Sequence, residues 1–198
     1  MKAVPFNVKY GVYGIISSED ASTGVPTYAD IVEFDPLMNV KWTPNTNSGV
    51  LYGEGIPRKN VVKKGSDDLE LGVTGITNKH HSDLFGHTYT PASSGDGTAT
   101  KETLVTANTD KIPYNGIGFC VENDDGSLTA YWYYKGRLEE PGGDVSQTED
   151  GKITFSTPTM KGSYVYGSDG VQRKVVEIPT DSGSVDYETI MGLTVVTP

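Results

Sequence analysis

The chain has very little cysteine and no long apolar run. Cys120 is the only cysteine among 198 residues, which excludes an internal disulfide framework and is typical of a protein assembled in a reducing cytoplasm. No stretch approaches the ~20 apolar residues of a membrane-spanning helix, and the N-terminus lacks the apolar segment of a secretory signal. We therefore expect a protein that is made in the cytoplasm and has no membrane partner.

Basic residues are scarce as well. The chain has 16 Lys and Arg against 26 Asp and Glu, for a net charge of −10. A protein that grips nucleic acid through its phosphates normally presents a basic face, and none is evident overall. The sequence also lacks a phosphate-binding loop and a nucleophile elbow, so it predicts neither a nucleotide-binding enzyme nor a hydrolase of that type.

Long helical patterns are missing too, and alternation of apolar residues with a period of two takes their place. This alternation, with frequent Gly, Thr and Tyr, predicts an all-β fold with one or two short helices, as a β-sandwich or split barrel. At this length a single domain over residues 1–198 is expected. The predicted strands cover residues 8–16, 28–39, 67–75, 117–122, 128–134 and 153–159, with a hairpin over 164–178.

The stretch from 116 to 165 reads as a β-meander. Asp125-Gly126 supplies the tight turn between its first two strands. The second strand is aromatic on both sides, so we expect both of its faces to be covered. The predicted core residues of the meander are Phe119, Val121, Trp132, Tyr134, Ile153 and Phe155.

One helix is predicted over residues 78–85. Thr77 is a favourable N-cap and Gly86 a natural stop, and the helix is expected to lie on the outside of a sheet. A second short helix over 184–191, a closing strand over 193–196 and a mobile loop over about 90–109 complete the expected organisation.

Residues 40–65 form the most unusual segment. They are rich in Gly, Asn and Pro, yet they carry many apolar groups and more basic than acidic residues. One interpretation is a β-hairpin arm that packs on another molecule, disordered in the isolated subunit and turning near residues 45–49; the other is a hairpin folded over its own sheet. The predicted apolar anchors are Trp42, Leu51, Tyr52 and Ile56. The predicted basic contacts are Arg58, Lys59, Lys63 and Lys64, facing Asp67, Asp68, Glu139 and Glu140 of a neighbour.

Several groups of residues could form a metal, catalytic or sugar-binding site, but their sequence context favours structural roles. His80, His81 and His87 are poorly spaced for one metal without a carboxylate between them, which Asp83 could supply, and they are read as a packed or solvated helix face. Cys120 is expected to be a buried apolar residue rather than a nucleophile. The remaining candidates are a calcium-like loop over 123–126, read as a turn, the pair Glu139-Glu140, read as a solvated loop, and the aromatic run 131–134, read as packing rather than a sugar-stacking platform.

The order of these features resembles a known family. It comprises an opening VKYGVYGIIS strand, YADIVEFDP, the long arm, DDLELGVTGITNKHHSDLFGHTY, and GIGFCVENDDGSLTAYWYYKGRLEEPGGDVSQTEDGKITFSTPTM. From about Val8 to Met191 the chain resembles the major tail protein of long-tailed, non-contractile bacteriophages, the subunit of the tail tube.

The resemblance implies hexameric rings that stack into a hollow tube, with the arm reaching the adjacent ring and the genome passing through the lumen. It implies no catalysis and no cofactor. The implied partners are other copies of the chain and the tape measure, tail terminator and distal tail proteins, in a virion assembled in the host cytoplasm. The competing interpretations are a carbohydrate-binding or adhesion module and an unrecognised hydrolase.

Overall fold

Eight strands form one antiparallel sheet. The structure, a computed structural model, describes residues 3–34, 36–92, 101–143, 155 and 157–179. In chain order the elements are β1 (Pro5–Glu19), β2 (Pro26–Glu33), β3 (Leu37–Gly53), β4 (Ile56–Val73), α1 (Asn78–Phe85), β5 (Thr88–Thr90), β6 (Thr103–Val105), β7 (Asn115–Asn123), β8 (Leu128–Glu139), β9 (Thr159–Val165) and β10 (Arg173–Ile178). The all-β prediction with a short helix is confirmed.

The main path of the sheet runs β2-β1-β7-β8-β9-β4-β3, and β10 pairs with β8. The sheet bends so that β3 begins beside β1, where a Cβ on Gly11 would lie only 2.5 Å from the Leu37 side chain. No ladder joins β1 to β3 among the described residues, so the sheet does not close into a barrel. The arrangement is consistent with the predicted sandwich class.

The first hairpin of the meander is confirmed. β7 and β8 pair from Asn115 to Glu122, and the Asn123 N–H donates to the Ser127 carbonyl across the turn. Gly126 has a φ of 80° there, which an L side chain would resist.

Both faces of this hairpin are covered, as expected. Phe119 and Tyr133 belong to the larger core cluster, on the face to which α1 contributes Leu84 and Phe85. Trp132 and Cys120 belong to a second cluster on the opposite face. Val121 packs against the first cluster and Tyr134 against the second, so the prediction that the core residues of the meander share one core is wrong. Alternation along each strand places these two sets on different sides, because successive side chains of a strand point in opposite directions.

The third strand of the meander was predicted at the wrong place. Phe155 is 83% exposed and lies outside any strand, while Ile153 falls outside the described residues. The edge of β8 is instead occupied by β9, which begins at Thr159 and buries Met160 and Tyr164. Alternation alone did not distinguish the two segments, because both alternate.

The predicted hairpin over residues 164–178 is also wrong. β9 and β10 do not pair with each other but lie end to end along the same edge of β8. The predicted turn at Gly170 exists, with a φ of 77°, as part of the loop between them. β9 also pairs with β4 on its other side, whereas β10 pairs with β8 alone among the described strands. The sheet therefore branches at this loop.

The helix prediction is confirmed. The Thr77 side chain accepts from the backbone N–H of His80, and Gly86 adopts the left-handed conformation with a φ of 78°. The Tyr13 hydroxyl donates to Asp83 at 2.9 Å and fixes the helix on the sheet. His80 was expected on the polar side but is buried beside Tyr13 and Phe34.

The predicted mobile loop over 90–109 is partly wrong, because Thr103–Val105 pairs with Thr88–Thr90 in a small second sheet. Its middle, residues 93–100, falls outside the described residues, as do the predicted terminal helix and closing strand.

Trp132 anchors the second cluster. Its indole N–H donates to the Tyr28 hydroxyl at 3.2 Å, and that hydroxyl donates to the Tyr134 carbonyl at 2.6 Å. Burial raises the pKa of Tyr28 above its usual range, so the hydroxyl keeps its proton for this bond. Gly116 and Gly118 leave room for the indole, since a Cβ at either would lie 2.6 Å from it.

We predict that Trp132→Ala lowers the free energy of unfolding by about 3–5 kcal/mol, because it empties a fully buried site. Phe155→Ala is the matched control and should change it by less than about 0.5 kcal/mol. Urea unfolding of both variants measures the difference. Equal losses for the two would contradict the described core.

Candidate assembly surface

Among the residues that the structure describes, the longest exposed stretch is the ribbon made by the distal parts of β3 and β4. Every residue from 43 to 64 except Gly53 is exposed. The ladder runs from Thr43 paired with Asp68 to Gly53 paired with Ile56. The ten steps from Thr43 to Gly53, at ~3.3 Å each, give a ribbon of about 33 Å. The ribbon, hereafter the arm, therefore extends from the body and does not fold over its own sheet.

The tip of the arm was predicted at the wrong place. The chain turns at Glu54 and Gly55, which have φ values of 55° and 75°, as a two-residue turn with both residues left-handed requires. Asn47, Ser48 and Gly49 are ordinary strand residues. Their turn-forming composition misled the prediction, whereas Glu-Gly is a weaker signal than Asn-Gly.

The arm is a continuous ladder up to this turn, with one register shift between Leu51 and Tyr52. In this structure of a single chain the arm is a formed hairpin, which differs from the disorder predicted for an isolated subunit. The reason is continuity: β3 and β4 already pair inside the body, so each further pair extends an existing ladder rather than starting a new one.

The base of the arm is fixed to the body. A register shift between Pro44 and Thr46 marks where the ribbon leaves the sheet. Arg173 pairs with Asp67 at 3.1 Å beside this point. Burial lowers the pKa of the Arg173 guanidinium. The hydrogen bond to Tyr133 and the negative charge of Asp67 together raise this pKa by more, so the net shift is upward. This ion pair joins β10 to β4 at the point where the arm begins.

Three of the four predicted apolar anchors are exposed on the arm: Leu51 at 65%, Tyr52 at 63% and Ile56 at 54%. Trp42 is different, because its ring packs on Phe119 and Tyr131 of its own sheet. We therefore assign Trp42 to the base of the arm rather than to a contact with a neighbour.

Three further apolar residues of the arm were not among the predicted anchors, and all are exposed: Val50 at 45%, Val61 at 43% and Val62 at 60%. The register places Val50, Tyr52 and Val62 on one face of the ribbon. Leu51 and Val61 lie on the other face, beside Lys59 and Lys63. Period-two alternation counted from the turn would place Val61 rather than Val62 on the face of Val50, because a register shift between Leu51 and Tyr52 reverses the two faces of β4.

The predicted basic residues are all exposed on the arm. Arg58 contacts Glu54 within the turn at 3.4 Å. Within the described part of the chain, no ion pair involves Lys59, Lys63 or Lys64. These three ammonium groups leave the arm electropositive on an acidic protein.

The predicted acidic contacts divide into two pairs. Asp67 is buried against Arg173, and Glu140 lies beside His81 and His87, so neither carboxylate is free to meet a neighbour's arm. Asp68 and Glu139 are exposed and border the same surface depression at the base of the arm. They remain candidates for that contact.

The other residues considered for chemistry have structural roles in the described part of the chain. Trp132 and Tyr133 are fully buried, which confirms packing over a sugar-stacking platform, and Cys120 is buried as expected. Residues 123–126 form a turn, in which Asp125 accepts from the Ser127 N–H. Asp83 accepts hydrogen bonds from Tyr13 and Lys79, so its carboxylate is engaged with these two residues rather than with the histidines.

No protein-family model matches the chain, and no curated protein matches it. Among the described residues, no helix is long and apolar enough to cross a membrane.

We predict that Leu51→Ser and Tyr52→Ser each change the free energy of unfolding of the isolated chain by less than about 0.5 kcal/mol, because neither side chain packs on the body. Trp42→Ala should cost about 2 kcal/mol or more, because it removes contacts with Phe119 and Tyr131. Chemical denaturation gives both values. A large loss for Tyr52→Ser would mean that the arm packs within its own chain.

Proposed function

We propose that this chain is a structural subunit that polymerises through its arm, and that the assembly is the tail tube of a long-tailed, non-contractile bacteriophage. The observation that carries the proposal is the arm itself: a ribbon about 33 Å long whose apolar side chains are 43–65% exposed and lie outside both core clusters.

An isolated ribbon would leave a large apolar surface exposed to water. Two-stranded hairpins are marginally stable in water, and clustered exposed apolar side chains mark interaction sites. Burying a Val, Leu or Ile side chain contributes roughly 1.5–3 kcal/mol, so six anchors supply on the order of 10 kcal/mol before the costs of association. A neighbouring subunit that covers the arm would gain this stabilisation.

Charge favours a second copy of the same chain as that neighbour. Residues 40–65 carry five basic residues and one acidic residue, whereas the whole chain has a net charge of −10. An arm of one sign meeting a body of the other steers encounter and register. Exposed ion pairs contribute only about 0–1 kcal/mol each, so the apolar anchors dominate affinity.

Heterologous contact of this kind also explains a tube. An arm that meets a different surface on the next copy forms rings when the rotation closes and filaments when it does not. In the proposed tube, hexameric rings stack through the arms, and the lumen conducts the genome. An acidic wall repels phosphates, so DNA passes without sequence-specific binding. The tape measure, tail terminator and distal tail proteins would be its other partners in the virion.

The carbohydrate-binding alternative loses its main support. The aromatic run that suggested it has Trp132 and Tyr133 fully buried, and Tyr131 packs against Trp42. A sugar-binding face needs exposed rings for stacking, and this run does not supply one.

Replacing residues 47–63 with Asn-Gly tests the proposal. Thr46 and Lys64 are register partners, so a two-residue turn can close the shortened ladder without disturbing the body. We predict a folded, soluble subunit that forms no tubes, as judged by light scattering after size-exclusion chromatography and by negative-stain microscopy.

Glu54→Asn is the matched control for this change, because it gives the full-length arm an Asn-Gly turn. It should assemble like the unaltered chain. Normal tubes from the shortened variant, or a purely monomeric unaltered chain at high concentration, would refute assembly through the arm.

A further inference from the structure

Two histidines and a glutamate meet at the end of α1. His81 lies in the helix, His87 follows it, and Glu140 directly follows β8. Glu140 Oε1 lies 3.5 Å from His81 Nδ1 and 3.2 Å from His87 Nε2. The three donor atoms all lie within 4.8 Å of one another. Residues from distant parts of the chain thus direct one ligand atom each at a common point.

The two ring nitrogens at this point lack a well-formed hydrogen bond. His81 Nδ1 and His87 Nε2 are both buried, and their contacts with Glu140 are close but poorly aligned. The His87 side chain is only 5% exposed. A buried nitrogen without a partner is costly, so an arrangement that leaves two of them side by side points to a bound group.

A carboxylate fixes His87 from the other side. Asp110 Oδ2 lies 2.9 Å from His87 Nδ1 and also accepts the backbone N–H of Ala107 at 2.8 Å. The bond between His87 and Asp110 leaves Nε2 directed at Glu140. Metal-binding histidines have this arrangement, in which a carboxylate orients the ring and increases its basicity.

We propose that His81, His87 and Glu140 bind a divalent transition-metal ion of the zinc type. A tetrahedral zinc ion with ligands at ~2.0–2.1 Å needs donor atoms about 3.3 Å apart. The two distances from Glu140 are 3.5 and 3.2 Å and already fit this value. The separation between the two histidine nitrogens is the one that must shorten, and rotation of the His81 side chain would shorten it. Two imidazoles and one carboxylate suit zinc better than magnesium or calcium, which prefer oxygen ligands.

Water would take the fourth coordination position of the metal, because the site is open to solvent at Glu140, whose side chain is 45% exposed. The ion would join the end of α1 to the end of β8 and, through Asp110, to the segment before β7. Since α1 contributes Leu84 and Phe85 to the main core, the proposed role of the metal is to fasten the helix to the sheet. This role is independent of assembly through the arm.

Metal titration of the untagged full-length protein tests the site. After treatment with a chelator, the protein is titrated with ZnCl2 against a chromophoric competitor, and with CoCl2 to detect the visible absorption of tetrahedral cobalt. We expect one ion per chain and a thermal midpoint that rises with zinc. Asp110→Asn should weaken binding by roughly 10–100-fold.

Glu140→Gln and His81→Gln should each weaken zinc binding at least tenfold and abolish the thermal shift. Both positions are partly exposed, so these variants should fold, unlike a substitution at buried His87. Glu177→Gln removes an exposed carboxylate on β10 and should bind zinc normally. No binding to the unaltered protein, or unchanged binding by Glu140→Gln and His81→Gln, would overturn the proposal and leave His87 as a histidine held between two carboxylates.

Discussion

The antiparallel ladder between β3 and β4 is the feature on which the rest of this structure depends. Near the body its residues belong to the core: Trp42 pairs with Leu69, and Leu71 is fully buried. Further out the same ladder continues, but its side chains lie outside the core and are exposed. One set of hydrogen bonds therefore joins a stable sheet to a surface that is rich in apolar groups.

This continuity accounts for both the order and the exposure of the arm. A hairpin of this length would be marginal alone, but here the body supplies the first pairs, and the bulge at the base sets the direction in which the ribbon leaves. Arg173 and Asp67 hold that base from the side. The arm can thus present its anchors to a second subunit without folding anew, which lowers the entropic cost of association.

The sequence was informative where a local signal has one structural meaning. Thr77 and Gly86 bounded the helix, Asp125-Gly126 placed a turn, and alternation found β1, β7 and β8. It failed where two segments carry the same signal. Phe155 and Met160 both lie in alternating stretches, and only the pairing with β8 and β4 decides that Met160 is buried. Such pairings are long-range and leave no local mark.

The two candidate sites show the same division. The arm was visible as apolar and basic composition in a turn-rich segment, although its tip at Glu54 was not. The cluster of His81, His87 and Glu140 was not predicted as a group, because Glu140 is more than fifty residues away in the chain. Spacing within the helix argued against a metal until the fold supplied the third ligand.

Amide hydrogen exchange of the arm, compared between the isolated subunit and sedimented assemblies, tests the central claim most directly. In the isolated subunit, residues 47–63 should exchange rapidly, because the distal ladder opens with little loss of buried contact. On assembly the same amides should become strongly protected while those of β7 and β8 remain unchanged. Assemblies in which the arm exchanges as rapidly as in the free subunit would show that it does not hold the polymer together.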